Sequence, residues 1–77
     1  MYSHWNYRVI ESKTASGETF FAVYEVYYDN DGNPTSCTVE PQEPFGETYK
    51  ELLTSMKHYK RAFKKPILQM DLFTKKK

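Results

Sequence analysis

The stretch Thr19 to Asp29, T-F-F-A-V-Y-E-V-Y-Y-D, decides the fold of this chain. It is built almost continuously from Phe, Tyr and Val, whose side chains fit a pleated and half-buried surface. The turn signal Asp31-Gly32 follows closely. We therefore predict that residues 19–29 form the central strand of a small sheet and that the flanking segments are its partners.

The predicted strand has two unlike faces, because successive side chains of a strand point to opposite sides. One face is wholly apolar or aromatic and carries Phe20, Ala22, Tyr24, Val26 and Tyr28. The other mixes apolar groups with acids and carries Phe21, Val23, Glu25, Tyr27 and Asp29. We assign the first face to the helix side. Two interpretations of Phe21, Val23 and Tyr27 stay open: they are partly exposed and form a protein-interaction surface, or the C-terminal tail shields this face.

Two weaker strand patterns flank the central strand. Residues 5–12 begin W-N-Y-R-V and alternate over their first half, and residues 35–40, T-S-C-T-V-E, are short and β-branched. Between the first two strands, residues 13–18, K-T-A-S-G-E, have the composition of a hairpin loop.

The turn after the central strand allows two registers. Residues 29–32, D-N-D-G, suit a type I turn closed by a left-handed glycine, whereas Asp31-Gly32 alone suits a two-residue turn. The two differ by one residue, which decides the face that Cys37 joins. The two-residue turn gives the better apolar match, with Val26 opposite Cys37, and the glycine turn is the better local match. The sequence leaves both open.

A helix is predicted over residues 49–64. Thr48 and Glu51 form a capping box, in which Thr48 accepts from the Glu51 N–H and the Glu51 carboxylate accepts from the Thr48 N–H. Pro66 ends the helix, and residues 66–77 form an apolar and then basic tail. The helix has one amphipathic face, made of residues that recur at three- and four-residue spacing: Tyr49, Leu52, Leu53, Met56, Tyr59 or Lys60, and Phe63.

Together these elements predict a single small α+β domain over residues 1–77. Its architecture is a three-stranded antiparallel β-meander with one C-terminal α-helix packed on one face, in the order β-β-β-α. A chain of 77 residues can build only a thin core, and its high aromatic content of 17% partly offsets that limit.

The sequence contains few groups for chemistry. Its one cysteine, Cys37, and two histidines, His4 and His58, are too few and too far apart for a zinc site. Residues 29–40 place acids at the spacing of a calcium-binding loop, but Pro34 stands where that loop needs glycine and both flanks are strands. No phosphate-binding fingerprint is present. We expect no metal, no cofactor and no enzymatic activity.

Neither a spanning segment nor a leader is evident in the sequence. No apolar run approaches the roughly 18 residues of a membrane helix, and the first residues lack a charged-then-apolar pattern. We therefore expect a cytoplasmic protein that does not enter a membrane.

The net charge of +1 hides an uneven distribution. Residues 1–56 carry three cations and nine acids, whereas residues 57–77 carry eight cations and one acid. Such a split is typical of nucleic-acid-binding surfaces, and also of a solvated helix end whose cations the helix dipole favours. The nucleic-acid hypothesis uses Lys57, Lys60, Arg61, Lys64 and Lys65.

Three segments resemble a group of small bacterial proteins of similar length. They are W-N-Y-R-V at residues 5–9, E-V-Y-Y-D-x-D-G-x-P at residues 25–34 and K-P-I-L at residues 65–68. The resemblance spans most of the chain, and Cys37 stands where an aromatic residue is expected. The group has no established activity, so the resemblance supports the strand and turn assignments and implies no functional residues.

The leading functional prediction is a small non-enzymatic module that binds another protein, or a second copy of itself, through the aromatic sheet face or an open strand edge. Its size and acidic sheet also fit a mobile-element or phage inhibitor that docks on host machinery. Nucleic-acid binding through the basic helix end is the alternative.

Overall fold

The computed structural model describes residues 4–74, and these form a sheet with helices on it. The strands are β1 (His4–Lys13), β2 (Thr19–Tyr28), β3 (Pro34–Cys37) and β4 (Leu68–Gln69). Helix α1 (Tyr49–Lys60) continues into a 3₁₀ helix (Arg61–Lys64), and a short helix α2 (Asp71–Thr74) follows β4. The basic end of the predicted tail, residues 75–77, lies outside the described residues.

The predicted α+β class is confirmed, but the sheet differs from the prediction. Within residues 4–74 it has four strands in the order β3-β2-β1-β4. The pairs β1–β2 and β2–β3 are antiparallel as predicted, whereas β4 runs parallel to β1 beside Ile10 and Glu11. A three-stranded antiparallel meander is therefore wrong in detail. A two-residue strand is too short to show a periodic pattern, which is why the sequence indicates only a tail there.

The first two strands lie within one residue of their predicted bounds at each end, but β3 ends at Cys37 instead of residue 40. The Thr38 N–H still donates to the Glu25 carbonyl (3.0 Å), but the Glu25 N–H donates to the Thr38 hydroxyl (3.3 Å). This side-chain bond takes the place of a ladder bond at the end of β3. The next residue, Val39, is 89% exposed.

The turn between β2 and β3 is the glycine turn. Gly32 has φ +85°, and its N–H donates to the Asp29 carbonyl (3.0 Å). The Asp29 side chain also accepts from the backbone N–H groups of Asp31 and Asn33, both at 2.9 Å. The short acid at the first position therefore fixes the turn as firmly as the glycine at the fourth.

A β-bulge beside this turn brings back the apolar register. The pairing shifts by one residue between Tyr27 and Tyr28, so that Val26 faces Cys37. The sequence presented the glycine turn and the Val26–Cys37 pair as alternatives, and the structure contains both. One extra residue on β3 reconciles the local turn chemistry with the apolar match.

The two sheet faces are covered by different segments. The fully apolar face holds the core of Ile10, Tyr24 and Val26, and the C-terminal segment covers it with Leu68, Met70 and Phe73. Helix α1 lies on the opposite face, where the ring of Tyr59 stacks on Tyr7. Our assignment of the face of Phe20 to Tyr28 to the helix side is therefore wrong. Parallel pairing sets Leu68 level with Ile10, and this directs the residues after β4 over that face.

Helix α1 is capped nearly as predicted. The Thr48 side chain accepts from the Glu51 N–H (3.1 Å), which is the expected half of the capping box. The Glu51 carboxylate accepts from the N–H of Glu47 (3.0 Å) and not from that of Thr48. The α-helix ends at Lys60, and the remaining predicted residues form the 3₁₀ helix.

Replacing Phe73 by Ala should lower the free energy of unfolding by about 1.5–3 kcal/mol, because a half-buried ring is removed from the core. The neighbouring Leu72 is 52% exposed, so Leu72→Ala should change stability by no more than about 0.5–1 kcal/mol. Urea denaturation of both variants measures the difference. Equal effects would contradict the assignment of Phe73 to the core.

Gly32→Ala should destabilise the protein by about 1–2 kcal/mol, because a Cβ is strained at φ +85° even though the space around it is empty. Gly32→Asn is the control, since asparagine tolerates the left-handed region better, and it should lose roughly half as much. Thermal unfolding of the two variants tests the order.

Candidate functional site

Helix α1 contacts the sheet through only a small part of its surface. Within α1 and the 3₁₀ helix, the buried side chains are Tyr59 and Ala62. The predicted amphipathic face is otherwise largely in solvent: Leu53 is 46% exposed, Met56 49% and Phe63 69%. The sequence pattern correctly indicates an apolar helix face, but most of that face does not pack on this chain.

A groove runs between this helix face and the sheet, and we call it the helix–sheet groove. Its volume is about 490 Å³, within the range typical of binding sites. Val23 of β2 forms one wall, and the helix forms the other. The full lining is Val23, Gln42, Pro44, Leu53, Met56, Lys57, Tyr59, Lys60 and Phe63.

Hydrogen bonds hold the loop that closes one end of the groove. The Gln42 N–H donates to the Val23 carbonyl (2.7 Å), and the Tyr59 hydroxyl donates to the Glu43 carbonyl (2.9 Å). The first bond fixes the loop to the sheet, and the second fixes it to the helix. Pro44 is thereby positioned as a groove wall.

The three residues predicted as a protein interface lie on the same sheet face as the helix. Phe21 is 57% exposed, and Val23 is half-buried and lines the groove. Tyr27 is half-buried, and its hydroxyl donates to the Glu25 carboxylate. The groove takes Val23 from this set and adds Leu53 and Met56 of the helix, which the sequence offered only as core candidates.

The cations predicted for nucleic-acid binding do not form one patch. Lys57 and Lys60 line the helix–sheet groove, whereas Arg61 and Lys65 line a different pocket. Lys64 is exposed and lines neither. Helical periodicity could not show this division in advance, because Lys57 lies one turn from both Lys60 and Arg61.

We call the second pocket the Trp5 pocket. It has a volume of about 480 Å³ and lies between the first half of β1 and the end of the helix. The sequence did not indicate Trp5 or His58 as site residues, because they are distant in the chain and meet only through the fold. The lining is Trp5, Asn6, Tyr7, His58, Arg61 and Lys65.

Arg8 is a buried cation on the core face of the sheet. Its guanidinium donates to the Tyr28 hydroxyl (2.8 Å) and to the Pro66 carbonyl (2.7 Å), while its Nε has no hydrogen-bond partner. The Tyr28 hydroxyl in turn donates to the side-chain amide oxygen, Oδ1, of Asn6 (2.7 Å). These hydrogen bonds connect the segment before β4 to β1 and β2. The role of Arg8 is therefore structural.

The half-buried Cys37 and the buried Tyr59 both have raised pKa values. Burial raises the pKa of the Cys37 thiol, so this cysteine is a poorer nucleophile than a free thiol. Burial, followed by the neighbouring Tyr7 hydroxyl, raises the pKa of Tyr59 to about 12. Both shifts fit packing roles.

In residues 4–74, no group of three or more His, Cys, Asp or Glu side chains is arranged to hold a metal ion. Over the same residues, no helix is long and apolar enough to cross a membrane.

Comparison with protein-family models, curated proteins and solved structures found no match to this chain. Its function is therefore inferred from its own residues and geometry.

The pKa of Tyr59 predicts a loss of stability in alkali. Unfolded Tyr59 ionises near pH 10, whereas the folded protein keeps it protonated until about pH 12, so the free energy of unfolding should fall as pH rises between these values. The slope due to this group approaches about 1.4 kcal/mol per pH unit.

Tyr59→Phe should remove that part of the slope. The variant should also be about 1 kcal/mol less stable at neutral pH, because the Glu43 carbonyl loses its donor. Urea denaturation from pH 7 to pH 11.5 measures both effects. Parallel curves for the two proteins above pH 10 would contradict the raised pKa.

Proposed function

We propose that this protein is a small non-enzymatic protein-interaction module and that its docking surface is the helix–sheet groove. The observation that carries the proposal is that α1 leaves most of its apolar face outside the core of its own chain. Leu53, Met56 and Phe63 are each between 46% and 69% exposed, yet they lie together on one groove.

An open apolar groove has a thermodynamic consequence. Each square ångström of apolar surface removed from water contributes about 25 cal/mol, and the helix and Val23 offer that surface in one place. Soluble monomers seldom keep large contiguous apolar patches unless these serve binding. A concave strip beside a helix suits an amphipathic helical segment, whose apolar side chains enter at helical spacing.

The charged residues of the groove indicate which charge its peptide ligand should carry. Lys57 and Lys60 line it, and its described lining contains no Asp or Glu. A partner with acidic residues beside its apolar face would meet two cations, which favours both orientation and association rate. The proposed ligand of the groove is therefore an acidic amphipathic segment of another protein.

The same sheet face extends the surface beyond the groove. Phe21 lies two residues before Val23 on β2 and points to the same side. The predicted aromatic interface thus becomes an extension of the groove instead of its centre. Substituting Phe21 should weaken binding less than substituting Leu53.

A peptide-display selection tests the proposal without a known partner. Helix-length random peptides are selected on the immobilised protein and sequenced. Enriched peptides should carry apolar residues at three- and four-residue spacing with acidic neighbours. Leu53→Asp should weaken their binding at least tenfold, because a carboxylate would be placed in the apolar wall.

Tyr49→Asp is the matched control. Tyr49 is 77% exposed on the same helix and does not line the groove, so this variant should bind the selected peptides within twofold of the wild type. Binding that survives Leu53→Asp, or selection of peptides without acidic residues, would refute the proposed docking surface. Sedimentation of the free protein adds a further test: a dimer abolished by Leu53→Asp would mean that a second copy fills the groove.

A further inference from the structure

The Trp5 pocket shares no lining residue with the helix–sheet groove, so it can be considered by itself. We propose that it binds a nucleoside phosphate, with the base against the indole of Trp5 and the phosphate held by Arg61 and Lys65. The proposal rests on the pocket's side chains and on the strand edge beside it, and it is independent of the proposed function.

The cationic side of the pocket comes from one side of the helix. His58, Arg61 and Lys65 follow each other at helical spacing and all reach the lining. The described lining contains no carboxylate that would neutralise them. Arg61 can offer two parallel N–H donors to a phosphate, and Lys65 adds a point charge. An anionic ligand is therefore favoured over a neutral one.

Trp5 supplies a stacking surface. The indole is 53% exposed, and its ring packs edge-on against that of Tyr7, with centroids 5.3 Å apart and an interplanar angle of 86°. Tyr7 is itself stacked on the buried Tyr59. The indole is thus supported from the core side while more than half of it stays accessible, and exposed aromatic rings of this kind bind nucleobases by stacking.

Polar groups of β1 face the same space. The Glu11 carbonyl accepts from the Met70 N–H on the β4 side. By strand alternation, the backbone groups of Trp5 and Tyr7 point to that side too. These groups can pair with the edge of a base.

The part of β1 that β4 leaves unpaired is short, and this favours a nucleoside phosphate over an added peptide strand. β4 occupies the edge at Ile10 and Glu11, and Pro66 reaches the neighbourhood of Arg8, whose guanidinium donates to its carbonyl (2.7 Å). Only the first residues of β1 remain open within the described chain, which is little length for strand addition. An exposed indole beside two cations suits a planar anion better.

Intrinsic fluorescence provides the test, because Trp5 is the only tryptophan in the sequence. The protein is titrated with adenosine 5′-monophosphate, with an oligothymidine of about eight nucleotides, with adenosine and with inorganic phosphate. We expect saturable quenching by the first two and at least tenfold weaker binding of the last two. A free nucleotide and a nucleic-acid strand are distinguished by which of the first two binds more tightly.

Substitutions assign the binding to the pocket. Arg61→Gln and Lys65→Gln should each raise the Kd about tenfold, whereas Lys50→Gln, in the first turn of the helix and outside the pocket lining, should leave it within twofold. Trp5→Ala should weaken binding of a labelled oligonucleotide about tenfold in fluorescence anisotropy. If the pocket contacts two phosphates of the oligonucleotide, a plot of log K against log salt concentration should have a slope of about −1.4.

Several outcomes would overturn the proposal. They are the absence of quenching at millimolar ligand, quenching that Arg61→Gln and Lys65→Gln leave unchanged, and equal affinity for inorganic phosphate and the nucleotide. Quenching by an extended acidic peptide and not by either nucleotide ligand would also refute it, and would point to strand addition. None of these results bears on peptide binding in the groove.

Discussion

Strand β2 carries large apolar side chains on both of its faces, and the arrangement of the other elements follows from that constraint. A small sheet with two apolar faces is stable only if something lies on each of them. One face is closed by the segment from Leu68 to Phe73, which packs on Ile10, Tyr24 and Val26. The other is met by Tyr59 and Ala62 of the helix and 3₁₀ helix. The first face is covered more fully than the second, and both candidate sites are on the helix side of the sheet or at its margin.

The strands, the helix and its cap could be predicted because they depend on local chemistry. Alternation in β1 and β2, a left-handed Gly32 and the Thr48 cap are all properties of short segments. The face that the helix would cover could not be predicted in the same way. Both faces of β2 carried enough apolar residues, and the choice depended on β4, whose two residues leave no periodic signal.

The candidate sites were less accessible to sequence reasoning than the fold. Helical spacing identified Leu53, Met56 and Phe63 as apolar, but spacing alone does not tell a buried face from a docking face. The basic run was visible as well, but which of its cations line which pocket depends on how the helix lies on the sheet. Trp5 and His58 lie 53 positions apart in the numbering and meet only through tertiary structure.

The parallel pairing of β4 with β1 also has a consequence for the order in which the molecule can fold. The β1–β2 and β2–β3 pairs join neighbouring segments, so their loop-closure entropy is small and they can form early. Ile10 and Leu68 are 58 positions apart, and their pairing closes nearly the whole described chain. Contacts of such sequence separation form slowly. A chain in which the hairpins had formed without this pairing would leave the face of Tyr24 and Val26, its most apolar surface, open to other molecules.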